Sequence, residues 1–244
     1  MPEKSGMREA PAERISSRAL LGNIRGIIFD FDGTLFDNAR LPFHLIAAFP
    51  PDVFRIWRER RARKSFEGRD FASPDAYYDA FFAALGKACL RSPERIRDWY
   101  FRRYMPRMCR VLEKHYRPMP GVKEFLEGLG ESAAVSQDGT ARKLPADFPA
   151  VAVYSDYPCL RERLRALDVN PGRGVRLYSP ESFGAQKPAP RPFREIAGDM
   201  GAQPEEVLVI GDREDTDGLG AYNAGMRFFH LITGRRKKRR SQQP

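Results

Sequence analysis

An α/β fold, with a doubly wound parallel sheet and an inserted all-helical segment, is what this sequence predicts, on three observations. Short apolar runs alternate with helical patterns from residue 24 to residue 232. Several of those runs end directly in Asp, Ser or Gly-Asp. Between the first and second runs, residues 38–117 carry helix signals and almost no two-residue alternation. At 244 residues the chain is long enough for one large α/β core with a smaller insert.

Residues 1–23 have no sustained period and read as a disordered arm with a short helix around 15–21. The core is expected over 24–37 and 118–234, the helical insert over 38–117, and a basic disordered tail over 235–244. The first strand is Ile27-Ile28-Phe29-Asp30, which runs on into Phe31-Asp32-Gly33-Thr34-Leu35. Alternate residues of an extended segment share a face, so Asp30 and Asp32 can converge, and Gly33 permits a sharp departure. Two carboxylates that close repel unless a cation joins them. Mg²⁺ is the natural guest, because it takes carboxylate and carbonyl oxygens and leaves positions for water and phosphate. That pairing suggests phosphoryl chemistry.

Within the insert, Pro51-Asp52 opens a stretch carrying Val53, Phe54, Ile56 and Trp57. Ser73-Pro74-Asp75 and Ser92-Pro93-Glu94 each place an N-cap and an N1 proline before an apolar-periodic run. The second of these predicts one long helix through Ile96, Trp99, Tyr100, Tyr104, Met108 and Leu112. Phe71, Tyr77, Tyr78, Phe81 and Phe82 are expected to form the core of this lobe. Arg60-Arg61-Ala62-Arg63-Lys64, Arg69 and Arg102-Arg103 read as a solvated face, or as recognition of a second anionic group.

Pro118-Met119-Pro120-Gly121 marks the return to the core, and Val122, Phe125, Leu126 and Leu129 lie on one helical face. Residues 131–149 have no firm assignment, with a short strand at 133–135 and a turn at Gln137-Asp138-Gly139 as expectations. Further strands are expected at 150–154, 175–178, 207–210 and 228–232, and helices at 160–167, 192–200 and 219–224. His44, His115 and His230 show no metal-ligand spacing, and His230 reads as structural.

Ligands of open parallel sheets bind outside the carboxyl ends of the strands. Those ends carry Asp30 and Asp32, then Ser155, then Gln186-Lys187-Pro188, then Gly211-Asp212 with Asp215 and Asp217 following. The order Asp-x-Asp-Gly-Thr, Ser, Lys-Pro and Gly-Asp-x-x-x-x-Asp resembles the haloacid dehalogenase (HAD) superfamily of phosphohydrolases, over roughly 24–234. The resemblance implies a Rossmann-like core with the insert as a type-one helical cap. It makes Asp30 the nucleophile that forms an aspartyl-phosphate and Asp32 the acid/base. Some relatives that act on carbon-halogen bonds lack an acid at that second position, so Asp32 favours phosphate esters. Thr34, Ser155, the backbone N–H of Asp156 and Lys187 would contact the substrate or steady its loop. Mg²⁺ would take the Asp30 carboxylate, the Asp32 carbonyl and the Asp212 carboxylate, with Asp217 in support. Arg213 stands where many relatives carry a small residue. Ser136, after Ala134-Val135, competes with Ser155 for the second motif, and Ser155 is preferred for its longer strand and the helix that follows.

The implied activity is Mg²⁺-dependent hydrolysis of a small phosphorylated metabolite. A phosphomutase would use the same residues. The net charge of +10 raises a third class, since six cations sit in Arg235-Arg236-Lys237-Lys238-Arg239-Arg240 and could bind nucleic acid through phosphates. No run approaches the roughly 18 apolar residues of a membrane span, and the N-terminal stretch lacks a signal-peptide apolar region, so a cytoplasmic location is expected. Cys89, Cys109 and Cys159 are too scattered for a disulfide framework and are expected as free thiols.

Overall fold

The computed structural model describes residues 22–71, 73–129, 134–135, 141–142 and 148–232. The expected short helix at 15–21, the turn at Gln137-Asp138-Gly139, Ser136 and the basic run 235–240 lie outside the described residues.

Seven strands are described: β1 (Gly26–Asp30), β2 (Ala134–Val135), β3 (Ala141–Arg142), β4 (Ala150–Tyr154), β5 (Val175–Tyr178), β6 (Val207–Gly211) and β7 (Arg227–His230). β2 and β3 pair antiparallel with each other, which turns the expected lone strand at 133–135 into half of a small ribbon. The other five form one parallel sheet in the order β5-β4-β1-β6-β7. The central strand β1 is apolar on both faces until Asp30, the pattern of a strand covered on both sides. Its register sets Asp30 opposite Tyr154 of β4 and Phe29 opposite Ile210 of β6. Asp30, Ser155 and Asp212 therefore leave the sheet at one edge, at the point where strand order reverses. The last strand runs Arg227–His230 rather than 228–232, and its final ladder bond to β6 is the one the Leu231 N–H donates to the Gly211 carbonyl.

Ten α-helices are described: α1 (Leu41–Ala48), α2 (Val53–Phe66), α3 (Pro74–Cys89), α4 (Pro93–Trp99), α5 (Met105–His115), α6 (Val122–Gly128), α7 (Leu160–Ala166), α8 (Pro180–Phe183), α9 (Pro190–Asp199) and α10 (Leu219–Ala224). On one face of the sheet, Ile28, Ala152, Tyr154 and Val209 pack with Phe193 and Ile196 of α9 and Ala221 of α10. On the other, Val151 and Val153 share a buried cluster with Leu126 of α6 and with Leu160 and Leu164 of α7. The sheet is thus covered on both sides, as the alternation of strand and helix requires.

α1 to α5 come from the insert, and their buried cluster continues without a break into Phe31, Leu35 and Phe36 of the loop after β1. Tyr77, Tyr78, Phe81 and Phe82 of α3 are buried there and meet edge-to-face or stacked, the geometries ring quadrupoles favour. Ser73 and Ser92 cap α3 and α4 by accepting from the Ala76 and Arg95 N–H groups. The expected long helix beyond Ser92 forms as one continuous helical run, in which α4 to Trp99 and α5 from Met105 are joined by a π-helical turn at Tyr100–Tyr104. Pro106 supplies a physical reason, because it has no N–H for the ladder and its ring crowds the preceding turn. Cys89, Cys109 and Cys159 are free. Among the described residues no helix is long and apolar enough to cross a membrane.

Candidate active site

Asp30 ends β1, and the chain then turns at Gly33, whose φ of 96° suits glycine. A Cβ at this position would also lie 2.5 Å from Asp212 Oδ2, so glycine lets the loop after β1 approach the acid after β6. The Asp212 backbone is itself held from β7, where His230 Nε2 lies 3.1 Å from its carbonyl oxygen. A turn beyond Asp212, Asp217 N–H bonds to the Arg213 carbonyl, and the buried Asp217 side chain points back under the site.

Lys187 joins these segments. Its Nζ donates to Asp30 Oδ1 at 2.7 Å and to Asp217 Oδ1 at 2.9 Å, while its backbone N–H donates to Asp156 Oδ1 at 3.0 Å. Burial alone would push the ammonium down, but the carboxylates of Asp217 and Asp30 hold it well above its ordinary value. For Asp30 the balance runs the other way, since burial and then the charge of Asp217 push its carboxyl well up while Lys187 pulls it back. One oxygen from each of Asp30, Asp212 and Asp217 lies within 4.8 Å of the others, and all three residues are buried. Lys187 pairs with two of these carboxylates, Asp30 and Asp217, and the third, Asp212, lies buried beside them. Together with the close approach at Gly33, that donor set suits a hard divalent cation.

Asp32 is placed differently. Its Oδ1 accepts from Arg163 Nη2 at 2.5 Å and its Oδ2 lies 3.4 Å from Ser155 Oγ. Ser155 follows β4 directly, donates its N–H to the Tyr178 carbonyl, and accepts at Oγ from Arg163 Nη1 and the Tyr157 N–H. Asp30, Asp32, Ser155, Asp156, Lys187, Asp212 and Asp217 are therefore brought together. Thr34 is not: its buried hydroxyl has no hydrogen-bond partner, and it lines an apolar cavity of about 500 Å³ with Phe29, Leu35, Met119, Ile210 and Phe229.

Several contacts of the site are absent from the motifs. Arg63 of α2 is buried, unlike Arg60, Arg61, Lys64, Arg69, Arg102 and Arg103 of the expected basic face. It pairs with Glu59, donates to the Tyr100 hydroxyl, and reaches the Asp156 carbonyl at 2.7 Å. Arg213 bridges Asp215 and Glu67 of the insert, so the residue that departs from the family pattern ties insert to core. No local signal marks Arg163, which is one of three arginines on a short helix. A partner-seeking arginine eight residues beyond Ser155 is the only hint.

Burial pushes Asp156 up from 3.8 to about 6. Folding therefore favours its protonated form, and the associated stability is complete below 3.8 and lost as pH rises through about 6. Asp156→Asn mimics that form and keeps an acceptor for the Lys187 N–H. The variant is expected to melt a few degrees above the wild type at pH 8, a gap that narrows toward pH 5. About 3 kcal/mol is the upper bound for a shift of this size. Parallel melting curves across that range would refute the assignment.

An open parallel sheet with buried acids, a buried lysine and a serine at its switch point defines an α/β enzyme whose chemistry lies at the strand ends. The chain belongs to the haloacid dehalogenase-like hydrolases, whose profile matches residues 24–225. It is 27% identical over 220 residues to N-acetylmuramic acid 6-phosphate phosphatase from Pseudomonas aeruginosa, covering 85% of this chain and 84% of that protein. A shorter stretch of 55 residues is 42% identical to glyceraldehyde 3-phosphate phosphatase from Methanopyrus kandleri, and spans 22% of this chain and only 24% of that relative. Among solved structures, L-2-haloacid dehalogenase from Xanthobacter autotrophicus with chloropropionic acid covalently bound shares the fold. That similarity has a TM-score of 0.53 at 18% identity, over 88% of this chain and 81% of that one.

Proposed function

We propose that the protein is a Mg²⁺-dependent phosphatase of small phosphorylated metabolites that works through an aspartyl-phosphate on Asp30. The observation that carries this reading is the cluster of Asp30, Asp212 and Asp217 around Lys187, with Asp32 and Ser155 beside it. Both curated relatives are named as phosphatases of small phosphorylated molecules, which supports the substrate class. An acid at position 32 favours phosphate esters over haloacids.

Asp30 Oδ1 is held by Lys187, so its other oxygen is the nucleophile toward phosphorus. Asp32 protonates the leaving oxygen and then takes a proton from the water that hydrolyses the acyl phosphate. Ser155 Oγ, the Asp156 N–H and Lys187 offset charge on the phosphoryl oxygens. The carboxylates of Asp30 and Asp212 and the carbonyl of Asp32 would hold Mg²⁺; Asp217 is already engaged by Lys187 and by the Arg213 N–H. When bound, the ion supplies charge neutralisation and orients a phosphate oxygen. Residues 38–117 serve as the cap over a core of 24–37 and 118–234, with Arg63, Glu67 and the Gly68 N–H, which donates to the Lys187 carbonyl, among its contacts to the site.

Phosphate release from an aryl phosphate and a panel of phosphorylated sugars and short acids tests the reading. Release is expected with Mg²⁺ and is expected to stop with excess chelator. Folded protein that releases phosphate from none of them, or that works equally well in chelator, would sink it.

A further inference from the structure

Among the described residues, the largest fully buried side chain is a charged one: Arg163 of α7 is 0% exposed. Its guanidinium closes a ring with two groups of the site. Nη2 donates to Asp32 Oδ1, Nη1 donates to Ser155 Oγ at 2.9 Å, and the Ser155 hydroxyl lies 3.4 Å from Asp32 Oδ2. Because Ser155 Oγ already accepts from Arg163 and from the Tyr157 N–H, its own proton is directed toward Asp32 in the substrate-free protein, and it turns to the phosphoryl oxygens when substrate binds, which frees Asp32 Oδ2. The guanidinium rests on the Phe31 ring at 4.3 Å, with Tyr157 at 5.3 Å on the same group. These anchors come from the loop after β1 (Phe31, Asp32) and the loop after β4 (Ser155, Tyr157). A lysine could not reproduce the contact, since only the planar fork meets a carboxylate and a hydroxyl at once.

We propose that Arg163 is a positioning residue for the second half of the reaction. It occupies Asp32 Oδ1 and leaves Oδ2 as the oxygen that receives the proton of the attacking water. In that step the water oxygen bonds to phosphorus, the bond from phosphorus to the Asp30 oxygen breaks, and the water proton passes to Asp32. Inorganic phosphate and a free Asp30 carboxylate result. This inference rests on the hydrolase reading above. The plainer role for Arg163 is to pin two loops together, and the two roles differ in which kinetic step they affect.

p-Nitrophenyl phosphate separates those steps, because nitrophenolate departs without a proton and only hydrolysis of the phosphoenzyme then needs Asp32. With Mg²⁺ present, Arg163→Met is expected to lower kcat on the order of 10²-fold, while kcat/KM stays within about threefold. A burst of one nitrophenolate per enzyme, absent in the wild type, is expected to precede the slow phase. Arg163→Lys keeps the charge, and is expected to show the same burst with a kcat loss of about tenfold. If the methionine variant fails to fold, the lysine variant carries the test. Unchanged kcat, or kcat and kcat/KM that fall together without a burst, would overturn the positioning role and leave the phosphatase reading standing. A folded wild type inactive on every phosphate ester would overturn that reading and this inference with it.

Discussion

Asp30→Asn is expected to abolish turnover, by on the order of 10⁴-fold or more, and to leave the protein folded and at least as stable as the wild type. Asparagine keeps the shape and an acceptor for Lys187, but has no carboxylate to attack phosphorus. The stability arm follows from the same geometry. Burial is the largest cost on the Asp30 carboxylate and the charge of Asp217 is the next, so an uncharged side chain removes both penalties. Phosphate release and a thermal melt on one preparation check the two arms together. Near-normal activity would end the nucleophile assignment, and a collapsed melt would show that Asp30 holds the fold rather than the chemistry.

Lys187→Met should do the reverse to stability. Among the described residues Lys187 is the cation hydrogen-bonded to both Asp30 and Asp217, and its removal leaves two buried carboxylates facing one another. Breaking a buried pair in this way costs about 3–5 kcal/mol, and activity is expected to fall with it. The methionine stem still fills the space beside Tyr154, whose ring lies 4.8 Å from Lys187 Nζ, so packing is kept and charge is what changes. Adding Asp30→Asn to this variant is expected to recover part of the lost stability without activity, because one of the two stranded charges is gone. Urea unfolding of the two single variants and the double variant measures the coupling. Additive losses would mean that Lys187 and Asp30 do not interact.

Much of the site was legible because its chemistry sits where local sequence signals are strongest. An apolar strand that stops at an acid, followed by glycine, announces Asp30 and Asp32. Ser155 and Asp212 end strands whose boundaries the apolar runs mark. Lys187 was legible through its order among the motifs, not through anything in its own neighbourhood. Thr34 was expected with the substrate groups, and it lines an apolar cavity with Phe29 and Leu35. The π-helical turn at Tyr100–Tyr104 escaped the periodicity because the apolar spacing continues across it, and Pro106 is the residue that lacks a ladder N–H.

The sequence by itself determined the class of fold, the order of the strands along the chain, the placement of the acids at their ends and the family resemblance. All of these follow from patterns a few residues long, governed by backbone geometry and by the cost of exposing apolar side chains. Only the tertiary structure decided that Arg163 meets Asp32 across 131 residues of chain, that Arg63 reaches the Asp156 carbonyl across 93, and that Arg213 reaches Glu67 across 146. Those partnerships are set by where long, flexible side chains find unpaired polar groups once the sheet and the insert have packed. A buried charge must be paired wherever its partner lies, and sequence separation carries no information about that distance.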